Sequence, residues 1–158
     1  MHADIGIGIL ISIFVTWLFG VDLTAWHIAA GIFFALLPDI DLIPGLSKLF
    51  GGHRGLTHQP LVYVPIILTA FLIGGLVWTL MLALGVATHL IHDTFWIGHG
   101  IAWLWPHSDK RYKFYAQDYK MIPGMGWIKF FYGRATIVSV SEAAVFIFSL
   151  SILYLYTL

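Results

Sequence analysis

Five apolar runs, at 5–20, 23–37, 61–74, 76–97 and 137–158, constrain this chain more than any other feature of it. Each is near or somewhat below the roughly 20 residues that cross a bilayer. A soluble globule of 158 residues could not cover them, because 59% of the residues are hydrophobic and only 10% are charged, against roughly 25% in soluble domains. The expected fold class is all-α: one integral membrane domain over 1–158, a polytopic helix bundle of about five transmembrane helices with an aromatic and basic cytoplasmic loop region. The N-terminus reads Met-His-Ala-Asp, without the basic residues of a cleavable signal, so the first segment is expected to be retained.

Length decides the topology. A single helix over 61–97 would extend about 55 Å against a hydrocarbon core of about 30 Å, so the chain must turn, and Gly74-Gly75 is the natural place. With two crossings there, the loops 38–60 and 98–136 fall on the side of the N-terminus. Every basic residue then lies on that side: Lys48 and Arg54 in the first loop, and Lys110, Arg111, Lys113, Lys120, Lys129 and Arg134 in the second. The opposite turns carry only Asp22 and glycines. The positive-inside rule makes the basic face cytoplasmic, which implies a multi-pass protein of a prokaryotic inner membrane with its C-terminus outside. Rings from Trp103 to Tyr132 interleave with the second-loop cations, and 129–134 is expected to lie flat at the headgroups. Membrane lipid is the expected partner. Eight Lys and Arg balance eight Asp and Glu, so no global field favours nucleic acid.

The chain has no cysteine, which excludes disulfides and thiolate metal sites, so any metal must be held by His, Asp or Glu. Three clusters of such residues border apolar sequence on the cytoplasmic side. Pro38 ends the second run and Asp39 and Asp41 follow at once. His53 and His58 flank Arg54 and Gly55 in a turn before the third run. His89 and Asp93, four residues apart, share one face of the fourth helix, with His92 about 60° to the other side of His89. Taken singly, these are solvated loop carboxylates, ordinary loop histidines and a hydrogen-bonded helix pair. Ionisable groups inside membrane segments cost about 2.5 to 3.5 kcal/mol each on insertion scales, and a bound cation offsets that cost. Convergence of all three clusters on one face therefore favours a metal site. His2, on the same face, is a further candidate. Glu142 closes Ser139-Val140-Ser141-Glu142, a capping-box pattern, and is either a helix cap or a ligand. His27 reads as a packed or interfacial histidine, and His99 and His107 as ligands or headgroup contacts.

The residues Leu36-Leu37-Pro38-Asp39-Ile40-Asp41, His53-Arg54-Gly55-Leu56-Thr57-His58 and His89-Leu90-Ile91-His92-Asp93, with Leu104-Trp105-Pro106, together resemble the membrane-bound, metal-dependent hydrolases described as LexA-binding and inner-membrane-associated. That resemblance runs from His2 to about Glu142. It implies metal-site roles for His2, Asp39, Asp41, His53, His58, His89 and Asp93. A fainter likeness, in the spacing of His89, Asp93 and His99 with Asp39 and His53 upstream, is to the zinc-dependent phospholipase C and P1 nuclease group. It would favour phosphoester chemistry and make His99 a ligand.

Nitrogen and oxygen donors suit zinc, then manganese or iron, and the number of candidates allows one to three ions, with Asp93 or Asp39 bridging a pair. The expected activity is hydrolysis of a lipid-borne or other membrane-associated phosphoester by metal-activated water, without a covalent enzyme intermediate. Arg54 is expected to hold the phosphate through its planar fork, and Asp41 to shuttle a proton or bind metal. Two other readings stay open: a proton- or metal-coupled transport unit, and a scaffold whose metal staples helices.

Overall fold

A computed structural model describes residues 2–43, 45–95, 100–114 and 136–158. Helix α1 spans His2–Phe19, α2 Ala25–Leu36, the short α3 Leu46–Leu49, α4 Pro60–Phe95 and α5 Thr136–Thr157, with 3-10 turns at Leu37–Leu42 and Leu56–His58. Among the described residues the only extended pairing is an isolated antiparallel bridge between Ile101 and Tyr112. Four stretches, His2–Phe19, Ala25–Leu42, Pro60–Phe95 and Ser139–Thr157, are long and apolar enough to cross a membrane. The fold is the polytopic helical bundle that the apolar runs imply.

The third of these is folded in two. Gly75 has φ 75° and ψ −178°, outside the helical region and accessible chiefly to glycine, and it separates arms at 60–74 and 76–95. Tyr63 and Leu90 share one buried cluster with Leu82 and Val86. On a straight helix those two residues would sit about 40 Å apart, so the arms lie antiparallel. Both ends of α4 thereby return to one face. The turn itself, with Leu72 80%, Ile73 84% and Leu76 more than half exposed, presents an apolar surface, as expected of a turn in a membrane-spanning hairpin.

Helix α1 is the centre of the bundle, with ten of its eighteen residues buried. It packs on α2, α4 and α5. The α1–α2 crossing is close enough for backbones to touch: a Cβ on Gly31 would run into Ser12 Oγ and the Gly8 carbonyl. Ser12 Oγ lies 2.8 Å from both Gly8 O and His27 O, so its hydroxyl bridges the two helices. At the outer end, Thr24 and His27 form a capping box that starts α2, and the His27 ring stacks on Trp78 at 4.9 Å.

One expectation changes here. Helix α5 spans Thr136–Thr157, so Ser139-to-Glu142 lies inside it and not at its start. Instead the buried Glu142 accepts a hydrogen bond from the backbone N of His2 at 3.2 Å and so caps the first turn of α1. The loop 100–114 folds over the end of α4: Trp103 Nε1 donates to Thr94 Oγ1 and Phe114 N to Thr94 O. The flat segment expected at 129–134, with Lys120, Lys129, Arg134 and His99, lies outside the described residues. Among the described residues every Lys and Arg (Lys48, Arg54, Lys110, Arg111 and Lys113) belongs to the segments 37–59 and 100–114, at the end of the bundle where α4 both starts and finishes, which by the positive-inside rule is the cytoplasmic face.

Candidate metal centre

The site forms where the 3-10 turn after α2, the loop before α4 and the returning arm of α4 meet. Pro38 tightens the chain after α2 and sets Asp39 and Asp41, two residues apart, on the turn Leu37–Leu42. The loop from Gly51 to His58 reverses sharply, with Gly51 and Gly52 at positive φ and Arg54 itself at φ 63°. A non-glycine residue held there costs about 1 to 3 kcal/mol, and surrounding contacts must over-determine it. Asp41 supplies them. This fully buried carboxylate accepts from His53 Nδ1 at 3.0 Å, from the Arg54 backbone N at 3.0 Å and from Thr57 Oγ1 at 2.9 Å. Both its oxygens are therefore spent on the loop. Expected as a proton shuttle or a ligand, Asp41 is placed as the post that shapes the histidine turn.

Hydrogen-bond chemistry fixes the two central rings. The Ala35 carbonyl can only accept, so His89 Nδ1, 2.8 Å away, must donate, which leaves the Nε2 lone pair facing inward. Thr57 spends its one proton on Asp41 and can only accept from His58 Nδ1 at 3.1 Å, so His58 also turns Nε2 inward. Those nitrogens face carboxylates: His58 Nε2 is 3.5 Å from Asp39 Oδ1 and 3.4 Å from Asp93 Oδ2, and His89 Nε2 is 3.7 Å and 3.9 Å from the same two oxygens. His58 Nε2, His89 Nε2 and Asp93 Oδ2 are buried and make no hydrogen bond. Lone pairs aimed at carboxylates repel unless a proton or a cation lies between them. Burial opposes charge on His58, yet the Asp39 and Asp93 carboxylates outweigh it and raise its pKa.

Two overlapping donor groups result, His58 with His89 and Asp93, and Asp39 with His53 and His58, each with donor atoms within 4.8 Å of one another. The first is buried, while His53 is 42% exposed and opens the second to the cytoplasmic side. Among the described residues, four carboxylates, those of Asp4, Asp39, Asp41 and Asp93, crowd this region, where the Arg54 guanidinium pairs with Asp93 and that of Arg111 reaches the Arg54 carbonyl. A divalent cation fits that deficit and that donor set.

Arg54 is also reassigned. Its Nη2 holds Asp93 Oδ1 at 2.7 Å, its backbone N binds Asp41, and its carbonyl accepts from Arg111 Nη2 at 3.2 Å. The guanidinium is buried against Asp93, where it aims Oδ2 inward, and is not spread toward solvent as a phosphate fork. His2 is not brought into the cluster: 62% exposed, its ring lies 3.8 Å from Glu142, and neither joins a donor group. His107 is exposed on the loop 100–114 and stands apart as well. What the sequence reading passed over is Asp4. Only 2% exposed, it puts Oδ1 3.4 Å from His89 Nδ1 and 3.3 Å from His92 Nδ1. An acid in the first turn of an apolar core helix was the available signal.

The profile of the YdjM inner membrane protein family matches residues 2–158. The inner membrane protein YbcI of Escherichia coli (strain K12) is 36% identical over 110 residues, which cover 60% of this chain and 61% of that relative. This chain thus spans about three fifths of the relative's length. No solved structure matches. These findings correct the resemblance drawn from the motifs: both matches are described only as inner membrane proteins, and neither points to a metal-dependent hydrolase or to the phospholipase C and P1 nuclease group. The reason is physical, since a few His and Asp residues bordering apolar helices are what any intramembrane polar cluster presents, and such short patterns do not discriminate families. With the profile spanning nearly the whole chain and the bundle in place, this chain belongs to the YdjM inner membrane protein family, as a multi-pass protein of the inner membrane.

Proposed function

We propose that this protein holds a divalent metal ion, zinc before manganese or iron, between His58, His89, Asp93 and Asp39, and that it hydrolyses a membrane-associated phosphoester at the cytoplasmic headgroup level. The observation that carries the metal is the convergence of two imidazole lone pairs and two carboxylate oxygens that are otherwise mutually repulsive. A cation bound there supplies Lewis acidity and lowers the pKa of water toward 7. Hydrolysis draws support from the second donor group, in which the exposed His53 and the partly exposed Asp39 leave a polar mouth open to substrate. Lys110, Arg111 and Lys113 on the covering loop supply positive charge for a phosphate headgroup. Asp41 and Arg54 act on the reaction through the donors that they position.

A second reading has its own observation. Four protein donors around one point can close a tetrahedral sphere, which suits an ion that merely staples the helices. Transport is less well supported, because Ser12 and Thr16, the buried hydroxyls of α1 beyond the cluster, are committed to backbone carbonyls. Detergent-purified protein should contain zinc in stoichiometric amount and turn over bis-p-nitrophenyl phosphate or phospholipid vesicles, with turnover lost to a chelator and restored by zinc. Metal without turnover leaves the staple; turnover that ignores the chelator overturns the mechanism.

A further inference from the structure

We propose that Asp4 is a positioning residue for the metal ligand His89, through which helix α1 tunes how tightly the centre binds its ion; the proposal rests on the metal reading above. Asp4 sits in the first turn of α1, on the opposite side of His89 from the donor cluster. Its Oδ1 lies 3.4 Å from His89 Nδ1, while His89 Nε2 faces Asp39 and Asp93. The Ala35 carbonyl, 2.8 Å from the same Nδ1, already sets the tautomer. A carbonyl is neutral, however, and orients the ring without adding charge. The Asp4 carboxylate adds a full negative charge behind the ring, which raises the basicity of Nε2 and strengthens its bond to a cation.

Burial makes the arrangement a costly one to keep for packing alone. Asp4 is 2% exposed in a helix whose other buried residues are apolar or small hydroxyl and glycine types. An Asn there would keep the shape and a donor or acceptor for each neighbour, so packing does not require the charge. The helix N-terminus favours an acid, but one at the exposed side of the first turn would serve that purpose equally. What the position adds is reach: His92 Nδ1, at 3.3 Å, meets the same oxygen from the next turn of α4, and its 16% exposure gives Asp4 an imidazole partner at the cytoplasmic edge. The carboxylate thus joins α1 to both histidines of α4.

The test compares wild type, Asp4→Asn and His92→Gln by zinc competition against a chromophoric chelator, by the visible spectrum of the cobalt-substituted protein, and by melting of the metal-free forms. Asp4→Asn is expected to weaken zinc about 10- to 100-fold, as loss of a carboxylate behind a ligating histidine does, and to shift the cobalt bands, which packing alone would not move. His92→Gln leaves the Asp4–His89 contact in place and should hold zinc within about threefold of wild type on that same scale. Zinc affinity and cobalt spectrum unchanged in Asp4→Asn overturn the role of Asp4 and leave the centre standing. Equal losses in both variants reduce Asp4 to packing and overturn it too. Should Asp4→Asn not accumulate, Asp4→Ser, which also removes the charge, is read in its place: a 10- to 100-fold loss of zinc with shifted cobalt bands supports the proposal, and affinity within about threefold of wild type overturns it. Absence of zinc binding by wild type removes the centre itself and this proposal with it.

Discussion

Replacing Asp93 by Asn separates the two duties of its carboxylate. One oxygen holds Arg54 Nη2 at 2.7 Å and the other faces His58 and His89 Nε2 at 3.4 and 3.9 Å. Breaking a buried ion pair by removing one partner costs about 3 to 5 kcal/mol, but an amide carbonyl still accepts from the guanidinium, a bond to a charged group worth about 1.5 to 3 kcal/mol, so the net loss is about 2 kcal/mol. Against that stands relief of repulsion. Asp39 Oδ1 and Asp93 Oδ2 both lie within 3.5 Å of His58 Nε2, so they are at most about 7 Å apart, and two charges at that separation repel by about 2 kcal/mol at an effective dielectric of 20. The terms offset. Metal-free Asp93→Asn is therefore expected to melt within about 4 °C of wild type, given about 2 to 4 °C per kcal/mol for a chain of this size. Zinc tells the variants apart. An amide nitrogen carries no lone pair for the ion, and loss of a ligand exceeds the 10- to 100-fold cost of losing a ligand's outer partner, so affinity should fall more than about 100-fold. Wild type should then gain melting temperature with zinc while the variant gains none. Zinc binding within threefold of wild type would refute the donor geometry, and a collapse of the metal-free variant would show that the ion pair, not the cation deficit, governs the cluster.

Other consequences are equally open to measurement. Gly75→Ala forces a side chain into the positive-φ turn of α4 and should cost about 1 to 2 kcal/mol, seen as a lower melting temperature with zinc content intact, whereas Gly74→Ala, whose Cβ would make only ordinary contact with Trp78 at 3.5 Å, should be neutral. His2→Ala should leave zinc stoichiometry unchanged, since His2 faces Glu142 and joins no donor group; loss of metal would place it back in the centre. His58 is raised above its unfolded value of about 6.5, so its partners stabilise the metal-free fold fully below that pH and lose their hold as pH rises through the raised value. Zinc takes the place of that proton, so the melting-temperature gain on adding zinc should grow as pH rises across this window, and a gain that is flat or shrinking would contradict it.

The contrast between Gly75 and Glu142 shows what could be read in advance. A bilayer of fixed thickness forbids a straight helix over 61–97, and only two adjacent glycines offered a break, so length and one local conformation determined the hairpin. The pattern Ser139 to Glu142 was equally local, but it lies inside α5, and the carboxylate reaches the first turn of α1. Donor types were legible in the same way, because Asp39, His53, His58, His89 and Asp93 had to lie on one face once the topology was set. Donor directions were not. Whether Asp41 binds an ion or braces a loop depends on where His53, Arg54 and Thr57 point, and those directions come from a turn held at Arg54 in a conformation its residue type does not favour.

Asp4 and His92 carry the point further. On helical geometry His92 projects away from the face shared by His89 and Asp93, and nothing in α4 says what lies on that side. It is α1 that lies there, and the only acid of α1 meets the ring. The same neighbour turns a carboxylate that read as part of a polar N-terminus into the most buried acid of its helix. A partner on another helix supplies the energy that makes such a residue tolerable, so its role is a property of the pair and is invisible in either segment alone. Periodicity and span length therefore locate a polar cluster of this kind, while the contacts between its acids and imidazoles are found only where two helices cross.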